Sequence, residues 1–234
     1  MAKNKKLMPP KPSTGDTVYL VADSVLSFIP GAPELFRKFV TPPLEKRQFA
    51  WMQEVSEVIE ELLSSKGLTL DELRNNDAFV SVVIQATYVA IRNHREEKMR
   101  SLANCVLNAG NGANIENDLQ LAFVRYVDEL SPSHMVLLRT IRDRYSDIKS
   151  LKSYESLYQL LCSSFTPSLT RDVFKMMCLE LQGHGLIDIS QYIENFVGLY
   201  EAKVFITEDT EDGLPRIAIS EVGKQFLAFI STDY

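Results

Sequence analysis

The sequence predicts a mainly α-helical fold: an N-terminal antiparallel helical bundle followed by a winged-helix-like α+β module. Three observations predict it. Between residues 41 and 130, apolar residues recur three and four apart, and caps and glycines punctuate the runs, which marks amphipathic helices joined by short turns. Beyond Ser131 the helical runs shorten, and β-branched runs follow Gly185. The 234 residues are 45% apolar and 24% charged with a formal charge of −6, an ordinary balance for a chain that buries a core. On this basis the chain divides into a basic, proline-rich tail over residues 1–16, a bundle over 17–130 and the module over 131–234.

The tail carries Lys3, Lys5, Lys6 and Lys11 before its first acid, Asp16, and Pro9, Pro10 and Pro12 interrupt regular structure. Residues 18–40 read as a helical hairpin, with Leu20, Val21, Val25, Phe28 and Ile29 before Pro30-Gly31, and Leu35, Phe36, Phe39 and Val40 after it. Thr41 and Pro42 then open a helix whose stripe is Phe49, Met52, Val55, Ile59 and Leu62, stopped by Gly67. Thr69-Leu70-Asp71-Glu72 is a capping box for a short helix. Asn76-Asp77 caps the longest helix, expected to run unbroken from Ala78 to about Asn108 and to end at Gly110-Asn111-Gly112. Its apolar line is Val80, Val83, Ile84, Thr87, Ile91, Met99, Leu102 and Val106. A further helix spans about Ile115–Leu130.

Ser131-Pro132 pairs a cap with a first-turn proline and starts a helix through Met135, Leu138 and Ile141. Helices follow at about Tyr154–Ser163 and Thr170–Gln182, the latter stopped at Gly183-His184-Gly185. Leu186–Ile189, Lys203–Ile206 and Arg216–Ile219 read as short strands, with the acidic turn Glu208, Asp209, Glu211 and Asp212 before the last of them. Ser220 caps a closing helix over Val222–Ile230. Helices, a hairpin and a final helix make the element order of a winged helix.

The residues that carry chemistry elsewhere are not arranged for it here. His94, His134 and His184 lie on three different elements without metal-ligand spacing. His94, within Arg92–Lys98, reads as part of a solvated charged helix face with Arg92–Glu96 and Arg95–Glu96 as neighbours on it. His134 reads as a first-turn residue and His184 as part of a helix stop. Cys105, Cys162 and Cys178 are too few and too scattered for a disulfide framework, and Cys162 and Cys178 fall on apolar helix faces. No nucleophile elbow and no phosphate-cradling glycine loop occurs. The expectation is therefore a non-enzymatic protein with no cofactor, no metal and no small-molecule substrate.

Four stretches give the chain a resemblance. They are Pro42-Pro43-Leu44-Glu45-Lys46; Gln85-Ala86 and Glu97 to Asn104 with Leu107-Asn108-Ala109; Glu129-Leu130-Ser131-Pro132 with Leu137-Leu138; and Gly185 to Ile189, answered by Ile219 to Leu227. Over about residues 40–230 the layout resembles the bacterial abortive-infection alpha proteins, a group associated with defence against phage. The resemblance implies the fold and a defence setting, and it carries over no catalytic residue.

Charge bears on the partner. Residues 131–234 hold ten Lys or Arg against fourteen Asp or Glu, whereas a DNA-binding surface concentrates cations against phosphate. The expected recognition helix offers Arg171 and Lys175 but also Asp172 and Glu180, and the wing tip is acidic. Each close like-charge contact there opposes docking by about 1 kcal/mol. The sequence thus favours a protein partner or a homo-oligomer over nucleic acid, with Arg139, Arg142 and Arg144 and the acidic turn Glu208, Asp209, Glu211 and Asp212 as contact surfaces of opposite sign. A winged-helix DNA-binding regulator is the first alternative. The second is a membrane-surface effector acting through residues 1–40, an amphipathic segment beside a lysine-rich tail. The longest apolar run, Val18–Ile29, holds Asp23 and is too short for the ~20 residues that cross a bilayer, so the expected location is cytoplasmic, with peripheral contact at the inner membrane face as the membrane-effector variant.

Overall fold

Helix α1, Pro42–Ser65, lies across a pair of helices, α3 (Asp77–Arg92) and α4 (Glu96–Gly110), and α5 (Asn117–Glu129) closes the group from the other side. The short α2, Leu70–Arg74, packs on α3. These come from a computed structural model that describes residues 42–151, 154–166, 169–190 and 216–232. The tail 1–16, residues 17–41, the expected strand Lys203–Ile206 and the acidic turn Glu208, Asp209, Glu211 and Asp212 lie outside the described residues. After α5 the order is α6 (Pro132–Asp143), α7 (Tyr145–Ile148), α8 (Tyr154–Cys162), α9 (Arg171–Gly183), β1 (Ile187–Ser190), β2 (Arg216–Ile219) and α10 (Glu221–Phe229). The fold is mainly helical.

Local chemistry sets the helix ends. Thr69 accepts from the Glu72 N–H while the Glu72 carboxylate takes the Thr69 N–H, completing the capping box of α2. Asn76 Oδ1 accepts from the Phe79 N–H at the start of α3, Thr170 from Val173 at the start of α9, and Ser220 from Gly223 at the start of α10. Gly67, Gly112 and Gly185 hold the left-handed backbone that stops the preceding helices.

The long helix expected over Ala78–Asn108 is instead two helices. Asn93, His94 and Arg95 are non-helical, and Asn93 and Arg95 have extended backbone. The charged stretch is thus a corner and not a solvated helix face. Asn93 Nδ2 donates to the Val89 carbonyl at 3.1 Å and to Asp128 Oδ1 at 3.1 Å, drawing the chain off the helix axis. Arg92 reaches Asp128 at 2.7 Å and does not pair with Glu96, which lies 3.8 Å from Arg100 one turn on. Glu96 and Glu97 occupy the first turn of the restarted helix, where its dipole favours them.

The α1 stripe also differs by a residue. Phe49 is 53% exposed, and Trp51 takes the buried place beside Val55, Ile59 and Leu62. Buried alanines and Gly110 let the helices approach closely, so that a Cβ at Gly110 would meet the Leu62 side chain at 2.4 Å.

In the second half, β1 and β2 pair antiparallel with Ile187 opposite Ile219 and Ile189 opposite Ile217. Ile187, Ile189 and Ile217 are buried while Asp188 faces out, the alternation of a sheet covered on one face. Helices α6 and α9 supply the cover. Helix α10 then returns to the bundle and packs on α4, α5 and α6. Phe123 meets the rings of Phe226 and Phe229 at 5.4 and 5.9 Å. The apolar core therefore runs without interruption from Trp51 to Ile230.

Candidate functional site

Two features of the described surface combine chemistry with position: a polar corner where α5 hands over to α6, and the outer face of α9.

The corner is built on the end of α5. The Asp128 carboxylate receives Arg92 and Asn93, and its carbonyl accepts from Lys98 Nζ at 2.6 Å. Lys98 is 7% exposed. Burial lowers its pKa, Arg95 adds to the lowering, and Asp128 opposes both. A lysine at this place caps the orphan carbonyls of a helix C-terminus with a charge of favourable sign. One residue on, Glu129 Oε2 lies 3.5 Å from His184 Nε2, and the His184 ring leans on Tyr126 at 4.5 Å between centroids. Leu130 and Ser131 then make the turn in extended conformation, and α6 begins.

His134 sits in the first turn of α6, in the place where Glu or Gln usually completes a capping box. Its Nδ1 accepts from the Ser131 N–H at 3.2 Å and lies 2.8 Å from Ser131 Oγ. Its Nε2 is 2.7 Å from Glu180 Oε2 on α9, an ion-pair distance reached without good hydrogen-bond alignment. The ring is buried. Burial lowers its pKa, Glu180 pulls upward, and His184 and Lys98 add to the lowering.

Helix α9 buries Phe174, Met177, Cys178 and Leu181, and turns Val173, Met176 and Leu179 outward. Those three are 38, 48 and 47% exposed and spaced three apart, a continuous apolar strip with exposed Asp172 and Glu180 alongside. Arg171, at the start of the helix, is held by Glu155 at 2.6 Å and lies over the Tyr158 ring.

Arg139 is half-buried on α6. Arg142 contacts its neighbour Asp143 at 2.7 Å, and Arg144 contacts Asp147 at 2.5 Å. The arginine cluster expected as a contact surface thus has two members facing local carboxylates. Its acidic counterpart lies outside the described residues.

Among the described residues no three His, Cys, Asp or Glu side chains gather as a metal site would require. Burial pushes the Cys105 thiol far up, Cys178 to about 12 and Cys162 to about 11, so these sulfurs stay protonated at neutral pH and are poor nucleophiles. Among the described residues, too, no helix is long and apolar enough to cross a membrane.

Sequence alone does not bring Lys98 and Asp128 together, nor Glu180 to His134, because each partner comes from another helix. A signal was present: a lysine on the apolar side of α4 and a histidine at the third position of a Ser-Pro helix start. No family model matches the chain, and no curated protein or solved structure is significantly similar to it.

Proposed function

We propose that the chain is a non-enzymatic interaction protein whose C-terminal half is a winged-helix-like module used for protein contact. The outer face of α9 carries the reading. In a winged helix this is the recognition helix, and a DNA reader would line it with cations and hydrogen-bonding side chains. Here Val173, Met176 and Leu179 occupy the centre of that face with Asp172 and Glu180 beside them. Apolar side chains exposed in a row favour a partner that desolvates them, and the flanking acids favour one whose matching strip is bordered by Lys or Arg. The partner is thus a protein presenting an apolar, basic-edged helix or strand. A phage-defence setting is part of the proposal, supported by the resemblance to the abortive-infection alpha proteins.

The test places a photo-crosslinking amino acid at position 176, and at position 57 as control, in cells that naturally express the chain. The expected outcome is one discrete adduct from position 176, absent at 57 and lost with Leu179→Asp. Adducts of equal yield at both positions sink the reading. A gel-shift assay with random duplex DNA at about 50 mM salt tests the regulator alternative, since even non-specific affinity registers there. Retardation at micromolar protein would replace the present reading with DNA binding. Co-sedimentation with anionic vesicles, with and without residues 1–40, does the same for a membrane effector.

A further inference from the structure

Helix α6 begins with a cap whose acceptor is an imidazole nitrogen. The Ser131 N–H donates to His134 Nδ1 at 3.2 Å, and that bond exists only while Nδ1 keeps its lone pair. In the neutral ring the single proton then belongs on Nε2, where it faces the Glu180 carboxylate 2.7 Å away. A Glu or Gln in this place would accept at any pH near neutrality; His cannot.

We propose that His134 is a proton-sensitive latch on the corner joining the bundle to the C-terminal half: protonation of Nδ1 sets that N–H against the Ser131 N–H, turns it to the Ser131 hydroxyl oxygen 2.8 Å away, and releases the Ser131 amide. The corner is suited to such a device. Leu130 and Ser131 are the two residues between α5 and α6, so the bond lost is one that fixes the turn itself. The ring is buried and Ser131 half-buried, so the amide loses a protein acceptor and becomes open to exchange.

The charged and titratable groups acting on the ring set the direction. They are Glu180 and His184 from α9 and its end and Lys98 from α4; Arg95, Asp128 and Glu129 stand one step out, Arg95 and Asp128 against Lys98 and Glu129 against His184. Glu180 favours the imidazolium. Burial, which is the larger influence, disfavours it, and Lys98 and His184 act with burial. The folded state therefore prefers the neutral ring more than the unfolded chain does. The stability held by this cap is fully present above the ordinary histidine value of about 6.5, and is lost as pH falls through the lowered value.

The experiment uses the full chain and follows the Ser131 amide and the His134 ring together by NMR between about pH 7.5 and pH 5. The expected result is a loss of Ser131 hydrogen-exchange protection of about tenfold or more that tracks the ring titration. The variant His134→Gln, which restores a pH-insensitive acceptor, keeps its protection throughout. Three results overturn the proposal: a ring that stays neutral down to pH 5, a ring that titrates while Ser131 protection holds, or an equal loss in His134→Gln. The wild-type measurement decides the matter even if the variant folds poorly.

Discussion

Trp51 shows how one side chain can fix a register. It is fully buried, and its indole N–H donates to Thr87 Oγ1 on α3 at 3.0 Å. Thr87 in turn donates to the Val83 carbonyl at 2.7 Å, so one hydroxyl satisfies a buried donor and spends its own proton on the helix backbone. Replacing Thr87 with Val keeps the shape and removes the acceptor. The indole N–H then stays buried without a partner, at a cost of about 1–3 kcal/mol. Denaturant unfolding followed by fluorescence of Trp51, the only tryptophan in the chain, measures this directly. A variant as stable as the wild type would show that water reaches the indole. His134 and Lys98 belong to the same scale: each is a polar group carried into the interior because another element supplies its partner.

At the scale of elements, helix starts and stops were legible in the sequence where the information is local. The Thr69 box, the Asn76 and Ser220 caps and the glycine stops act within three residues of themselves, so composition reveals them. The break at Asn93–Arg95 was not legible, because the group that turns the chain is Asp128, on a different helix. Charges that satisfy i to i+4 spacing on paper are drawn across space once the bundle closes. Phe49 and Trp51 exchanged places for a related reason: both fit an apolar stripe, and only packing against Thr87 selects one. The polar corner was invisible for the same cause, since Lys98 and the carbonyl it caps are thirty residues apart.

Two glycines at this scale give opposite expectations. A Cβ on Gly223 would lie 2.0 Å from the Leu186 carbonyl oxygen, which is backbone held by the Ser220 N–H at 3.1 Å and has little freedom to retreat. Gly223→Ala pushes α10 off the β1 turn and destabilises by about 1–3 kcal/mol. Gly183 closes α9, and a Cβ there meets nothing within 4 Å. Gly183→Ala leaves stability unchanged or raises it by about 0.4–1 kcal/mol through the unfolded chain. Thermal unfolding of the two variants side by side checks both signs.

At the scale of the molecule, the question is whether the bundle and the C-terminal half unfold as one. Helix α10 has nine residues, too few to hold a helix in water alone, so its existence depends on what it docks against. That surface belongs to the bundle. Asn108 on α4 is 1% exposed, and its Nδ2 reaches the carbonyls of Ala228, Phe229 and Ser231, while Asn104 reaches Ile230. Two asparagines thus satisfy the orphan carbonyls at the end of α10, and the Phe123–Phe226–Phe229 contacts bury the aromatic face beside them. Neither half can lose this interface without exposing aromatic rings and stranding buried polar groups, which couples their unfolding. The expected outcome is one transition: Trp51 fluorescence, which reports α1, and pulsed alkylation of Cys178, which reports α9, share a midpoint in denaturant. Asn108→Ala removes the two amide donors that serve the Phe229 and Ser231 carbonyls and lowers that common midpoint by the equivalent of about 1–3 kcal/mol. Midpoints that separate in the wild type would mean that the interface through α10 is too weak to join the halves. A Trp51 midpoint unmoved by Asn108→Ala would place the coupling elsewhere, at the Asp128 and His134 corner.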